Sequence, residues 1–379
     1  MEKQLESLTI HRFRGLRDLE LSDLGDINLF VGENNSGKTT ALEAISTYCR
    51  PLDPLEWLDT SWRREIKSSR TPMLDALKWL FPHVDLPEGE LYTGETCVSG
   101  SGRFPVLESR ATYSEFVGID SSFEVEEALP LREREADYFL DLDSKRWGAS
   151  LELKAVIRVV QPMLFDSAPT REISETFQLW EEERFTTRKT PPAPMLPVST
   201  ISPVSHRAEQ IQIKRLTEAT FEDVKDEVLQ VIQLLDPGVQ DLEILSRRGI
   251  RPTLYIRHQD VGLAPLSAFG DGVRRTLMIA LTLPLVKGGA LLIDEIETAI
   301  HKSALSKVFG WLVKACSDNN VQLFATTHSL EAVDAMLKVK KVDLDNIVVY
   351  RLNEIGQPAQ RLSGDLLYRM RYKRGLDVR

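Results

Sequence analysis

Cysteine is scarce in this sequence: 379 residues contain only Cys49, Cys97 and Cys316, an odd number at wide spacing. That excludes a disulfide framework and a cysteine-built zinc site, and it points to a reducing compartment. Long apolar runs are also missing. The longest, Leu277 to Val286, is too short to cross a bilayer and ends at Lys287. The first residues, Met1 to Leu5, carry no apolar secretory segment, so a cytoplasmic protein without a membrane partner is expected. Positive charge is not in excess either. A net charge of −10 excludes a uniformly basic nucleic-acid coat, although it leaves room for a local basic patch. No repeat or low-complexity tract is present. The remaining composition, 42% hydrophobic and 27% charged, belongs to a globular chain long enough for one large domain or two smaller ones.

Against that background stands Gly32-Glu33-Asn34-Asn35-Ser36-Gly37-Lys38-Thr39. An apolar stretch, Ile27 to Val31, precedes it and reads as a strand, and Thr40 to Ile45 follows with helical spacing. A strand, a loop of the form G-x-x-x-x-G-K-[ST] and a helix together make a phosphate-binding loop. The glycines let successive N–H groups turn inward, and the helix aims its positive end at the same point. Asn34, Asn35, Ser36 and Thr40 complete the cradle. Lys38 is expected to reach the β- and γ-phosphates, and the Thr39 hydroxyl to ligate Mg²⁺. The competing reading, a glycine-rich turn with a solvated lysine, does not account for the flanking strand and helix.

Residues 1–31 read as strands joined by tight turns. From Cys49 the character changes, and 51–205 is expected to be an insertion with antiparallel strands and some helix. Strand candidates within it are Ser122–Val125, Leu151–Val160 and Phe177–Phe185. The segment 206–239 is helical in pattern, with Leu216, Phe221, Val224, Val228, Val231 and Leu235 at mostly three- to four-residue steps. A hairpin follows over 242–257, with Arg247-Arg248-Gly249 near its turn.

The second half of the expected site lies far downstream. Ala290-Leu291-Leu292-Ile293-Asp294-Glu295 is an apolar run of the kind found in sheets buried on both faces, ending in two carboxylates. Asp294 is expected to hold Mg²⁺ opposite Thr39, and Glu295 to act as general base toward a water molecule. An acidic pair after a strand is otherwise a helix cap. His328 ends the next apolar strand, Val321 to Thr327, where it can reach the γ-phosphate or the attacking water. Gly270-Asp271-Gly272 opens another helix and forms a second N-terminal anion site, or an ordinary cap.

In this order the pieces resemble ABC-type ATPases of the SMC and RecF group, and look closest to the ATPase part of OLD-family (overcoming-lysogenization-defect) and related anti-phage proteins. Gly32–Thr39 matches the Walker A loop, Ala290–Glu295 the Walker B strand with its catalytic glutamate, and His328 the switch histidine. Phe269–Arg275 matches the signature segment, with Gly270 in place of its serine; Ser267 lies just upstream. No glutamine could be placed at the Q-loop. The resemblance implies an α/β fold: an ABC-type P-loop NTPase head with a mixed central sheet, an antiparallel β subdomain and a helical signature subdomain. It divides the chain into a split core, 1–50 and 240–379, around 51–205 and 206–239.

It further implies ATP and Mg²⁺ as ligands, and a homodimer or higher oligomer in which each signature helix faces its partner's ATP. A sensor or regulator with a separate effector protein in anti-phage defence follows by analogy. No Toprim-like carboxylate cluster fits after His328, so intrinsic nuclease activity is not expected. Two alternatives stay open. One is a RecF-like repair ATPase whose DNA track uses Arg247, Arg248, Arg251 and Arg369–Arg374. The other is an ATP-locked scaffold for a toxic partner.

Overall fold

The computed structural model describes residues 3–65, 71–83, 87, 90–119, 145–159, 169–181, 183, 185, 187, 190–246, 251–339, 344–354 and 356–378. The chain opens with strands β1 (Ser7–Phe13) and β2 (Leu16–Leu21), then β3 (Ile27–Val31) and helix α1 (Lys38–Cys49). Helices α2 (Pro54–Ser61) and α3 (Met73–Lys78) lead into β4 (Thr93–Ser101), β5 (Val106–Ile119), β6 (Lys145–Arg158) and β7 (Thr170–Trp180). Strand β8 (Val198–Ile201) precedes α4 (Glu209–Phe221) and α5 (Lys225–Gln233). A meander of β9 (Val239–Leu245), β10 (Thr253–His258) and β11 (Gly262–Pro265) follows. The remainder runs α6 (Asp271–Thr282), β12 (Ala290–Ile293), α7 (Lys302–Asp318), β13 (Gln322–Thr326) and α8 (Leu330–Leu337). It closes with β14 (Ile347–Arg351), β15 (Gln360–Ser363) and α9 (Gly364–Tyr368).

The central sheet is mixed, in the order β15-β14-β3-β13-β12-β8, with only β15 antiparallel to its neighbour. Every residue of β3, β12 and β13 is buried. Helix α1 covers one face of this sheet and α7 and α8 the other, which explains why these strands read as unbroken apolar runs. Burial of α1 side chains such as Leu42 and Ile45 contributes about 1.5–3 kcal/mol each and anchors the helix behind the phosphate loop.

The second sheet is wholly antiparallel, β2-β1-β4-β5-β6-β7. In β6, Leu151, Leu153 and Ala155 are buried and alternate with Glu152 and Lys154, the period of two expected of a half-buried strand. This sheet is not confined to the segment 51–205, because β4 pairs with β1 of the N-terminal hairpin. Nor does all of that segment lie outside the central sheet: β8 pairs in parallel with β12, Ile201 opposite Ile293. A distant pairing partner leaves no local mark in sequence, so composition alone drew the 51–205 boundary too sharply.

The helical pattern of 206–239 divides at Asp223, whose left-handed φ of 57° separates α4 from α5. Both helices pack with α6 and the meander around Leu216, Val228, Ile232, Leu254 and Leu277. The candidate strand Phe177–Phe185 ends at Trp180. The expected strand Ser122–Val125 and the turn Arg247–Gly249 lie outside the described residues.

Candidate active site

The phosphate loop joins β3 to α1 through three left-handed residues, Gly32 (φ 143°), Asn35 (φ 65°) and Gly37 (φ 89°). Close approach forces the two glycines as much as torsion does. A Cβ on Gly32 would stand 2.4 Å from the Leu352 carbonyl oxygen, and one on Gly37 would stand 2.5 Å from Leu16 Cδ2. Lys38 is buried beneath the loop, where its Nζ donates to the Gly32 and Glu33 carbonyls at 3.0 and 2.6 Å. Burial lowers its pKa, and the nearby carboxylates of Asp294 and Glu295 oppose that shift. An ammonium satisfied by neutral carbonyls gains from exchanging them for an anionic acceptor.

Strand β13 lies between β3 and β12, and this places the ends of all three side by side. The Thr39 hydroxyl donates to both Asp294 oxygens, at 3.0 and 3.1 Å. Thr326, at the end of β13, donates to Asp294 Oδ1 at 2.6 Å and accepts the Glu295 N–H at 2.7 Å. Glu295 is left-handed, with φ 48°, a conformation that costs an ordinary residue roughly 1–2 kcal/mol. Its Oε2 accepts from Thr298 Oγ1 at 2.7 Å. His328 is half-buried two positions beyond β13, and its backbone N–H donates to Glu297 at 2.9 Å. The structure therefore gathers Lys38, Thr39, Asp294, Glu295 and His328 at one edge of the sheet.

The signature segment is placed differently. Gly270 caps α6 on the surface with open space where a side chain would stand, whereas a Cβ on Gly272 would lie 2.9 Å from the Ala299 carbonyl. The carboxylate of Asp271 accepts from Arg207 and Arg274, each at 3.1 Å. The Arg207 hydrogen bond leads the causes that hold its pKa below the usual carboxylate value. Ser267 is exposed just upstream.

Three features were invisible in sequence. Glu43 of α1 is fully buried, bonded by Arg14 at 2.8 Å and by Arg64 through two 2.7 Å contacts; Arg64 also donates to Thr40 at 2.9 Å. Ser202, Pro203 and Val204 after β8 face Thr39 and Asp294 across a cavity of about 250 Å³. This segment follows β8, which pairs with β12, and it contains no glutamine. Arg275 of α6 is buried among the carbonyls of Ser202, Asp294 and Glu295.

Two of the four cations in the C-terminal basic cluster meet carboxylates within the chain, while Lys373 and Arg374 are exposed. Arg371 makes two 2.8 Å bonds to Asp334, and Arg369 lies 2.6 Å from Asp365. Among the described residues no group of three or more metal-ligating side chains exists, and no helix is long and apolar enough to cross a membrane.

A glycine cradle, a buried lysine and a hydroxyl–carboxylate pair on a sheet edge suit a metal-bound triphosphate, and comparison with known proteins bears on the family. A family model described as "AAA domain, putative AbiEii toxin, Type IV TA system" matches residues 136–334, just over half the chain. The chain belongs to this AAA family. A second model, "AAA ATPase domain", matches residues 4–51 and so covers the phosphate loop. The AAA protein is an ATPase with a P-loop α/β fold. It is similar to an ATP/GTP phosphatase of Helicobacter pylori, 21% identical with 88% of each chain covered. It is also similar to the uncharacterised protein MJECL11 of Methanocaldococcus jannaschii, 40% identical over 21% of this chain and 72% of that one. Among solved structures it resembles an Smc head bound to the C-terminal winged-helix domain of ScpA, at 14% identity and TM-score 0.44, covering 95% and 98% of the chains. An SMC head from Thermotoga maritima aligns at 13% identity and TM-score 0.38 over the same shares.

Proposed function

We propose that this AAA ATPase is a switch closed by ATP: two copies clasp Mg·ATP between the phosphate loop of one and the α6 N-terminus of the other, and hydrolysis releases them. The observation that carries the reading is the contact of Thr39 with Asp294, which brings both motif halves to one point. Lys38 gives up the Gly32 and Glu33 carbonyls for the β- and γ-phosphates, neutralising charge that builds on the γ-phosphoryl group. The oxygens of Thr39 and Asp294 suit a hard cation that takes its other ligands from phosphates and water. Mg²⁺ bound there would offset phosphate charge and orient the γ-phosphate. Glu295 orients a water molecule and takes its proton as the water attacks, and His328 hydrogen-bonds the γ-phosphate.

The exposed Gly270 and the N–H groups of the first α6 turn supply the second half of the site to the partner copy. The output is a change in a separate effector protein, in defence against phage. Support for that role is the family's description as a "putative AbiEii toxin, Type IV TA system". A DNA partner is left out of this reading, because Arg369 and Arg371 already meet carboxylates within the chain.

The test is Glu295→Gln, followed by light scattering and phosphate release. With ATP and Mg²⁺ the variant should bind nucleotide, lose about 10²-fold in turnover, and accumulate as a dimer. A variant that hydrolyses at the wild-type rate and stays monomeric in saturating ATP would overturn the assignment.

A further inference from the structure

Arg275 is the most completely buried cation among the described residues, with no exposed surface. It sits just over one helical turn after Gly270, and among the described contacts its guanidinium makes no hydrogen bond to a side chain. Instead it grips main chain: Nη1 donates to the Ser202 carbonyl, and Nη2 donates to the Asp294 and Glu295 carbonyls at 2.8 and 3.3 Å. Burial pushes its pKa down to about 10, with Asp294, Glu295 and Glu297 opposing, so it stays charged at neutral pH.

The two carbonyls held by Nη2 belong to the peptide groups on either side of the Glu295 Cα. In an extended strand successive carbonyls point to opposite sides. They converge on one nitrogen here because Glu295 is left-handed. A donor that holds both therefore holds φ and ψ of Glu295, and with them the direction of its side chain. Thr326 secures the amide, and Thr298 one carboxylate oxygen and, through its N–H at 2.9 Å, the Glu295 carbonyl. Among the described contacts Arg275 is the donor to the Asp294 carbonyl and the one side chain that bridges both carbonyls. A conformation of this kind persists only where its surroundings over-determine it.

We propose that Arg275 is a positioning residue for ATP hydrolysis, which acts through Glu295 by locking its left-handed backbone to the end of β8 and to the helix that opens at Gly270. This rests on the reading of Glu295 as the base. It predicts a specific pattern of loss: the Lys38 and Thr39 cradle makes no hydrogen bond to Arg275, so nucleotide affinity should survive while turnover falls.

The experiment is a double-mutant cycle on the full chain with Arg275→Met, Glu295→Gln and the combination, reading kcat, KM and the affinity for a fluorescent ATP analogue. Arg275→Met should lower kcat at least tenfold, as misplacement of a reacting group does, with KM and analogue affinity changed less than about threefold. Adding it to Glu295→Gln should cost little further, because a group that acts through Glu295 has nothing left to position. Equal losses in both backgrounds, or a loss of affinity instead of kcat, would overturn the proposal. Should Arg275→Met not fold, Arg275→Lys, which keeps the charge but not the paired donors, is carried through the same cycle with the same criteria. A normal rate for Glu295→Gln alone would instead reject the base assignment on which this stands.

Discussion

The hydroxyl of Thr39 and the carboxylate of Asp294 are 255 positions apart in the chain and 3.0 and 3.1 Å apart in space. Neither group is placed by its neighbours in sequence. The register of β3 beside β13 and of β13 beside β12 brings the two ends together. A hydroxyl and a carboxylate that share one point should also share one cation. Thr39→Val keeps the shape and removes the oxygen. ATP turnover in that variant should require about tenfold more Mg²⁺, one ligand's worth of affinity being on the order of 1.4 kcal/mol. A titration of rate against Mg²⁺ at fixed ATP reads the shift, and an unchanged midpoint would exclude Thr39 as a ligand.

Lys38 sets binding strength against the stability of the fold. Its ammonium is buried and its pKa lowered, chiefly by that burial. Lys38→Met removes the buried charge, so thermal stability without nucleotide should hold or rise. ATP affinity should fall at least about tenfold, since a charge-assisted contact to phosphate contributes on the order of 1.5–3 kcal/mol. Calorimetric titration and a melting curve on one preparation separate the two effects.

Gly37 and Gly270 should respond oppositely to alanine. At Gly37 the left-handed φ and the 2.5 Å approach to Leu16 mean that Gly37→Ala strains the loop, lowering stability by roughly 1–3 kcal/mol. At Gly270 there is open space, so Gly270→Ala should leave the melting temperature unchanged. The bulkier Gly270→Arg should leave the monomer folded while blocking the dimer that Glu295→Gln traps. If the trapped dimer forms normally with arginine at 270, the α6 terminus does not face a partner.

His206 introduces a pH dependence. It is buried, with Asp271 at 3.6 Å, beyond hydrogen-bonding distance, and Arg275 and Arg207 nearby. Burial first and the Arg275 charge second lower its pKa, and Asp271 only partly opposes them. The folded protein therefore keeps the ring neutral where the unfolded chain, titrating near about 6.5, takes up a proton. The contribution is complete above that value and is lost as pH falls toward the folded pKa. Asp271 is also depressed, but from 3.8, so its window lies lower. Between pH 7 and 5 the melting temperature of the wild type should fall more than that of His206→Gln. Parallel slopes would show that His206 does not titrate with folding.

Much of the nucleotide cradle was readable because its demands are local. Left-handed turns select glycine, β3 and β12 are apolar because both their faces are covered, and α1 begins where the loop ends. Arg275 was not readable. It stands beside Arg274 in the first turns of a helix, where an arginine is ordinarily solvated, and the two side chains take opposite fates: Arg274 bonds Asp271 near the surface and Arg275 enters the core. Glu43 was equally silent, since a glutamate inside a helix ordinarily faces water and only the arrival of Arg14 and Arg64 makes its burial tolerable.

The sequence by itself determined the phosphate loop, the buried strands and the acidic pair, because torsion, burial period and helix start are settled within a few residues of each signal. Tertiary structure alone decided that β8 lines the central sheet beside β12, that β4 extends the N-terminal hairpin, and that one arginine binds the ends of β8 and β12 to α6. Hydrogen bonds between strands join backbone groups that every residue carries, and a buried charge is tolerated only by partners brought from elsewhere, so neither leaves a mark where it is written in the chain.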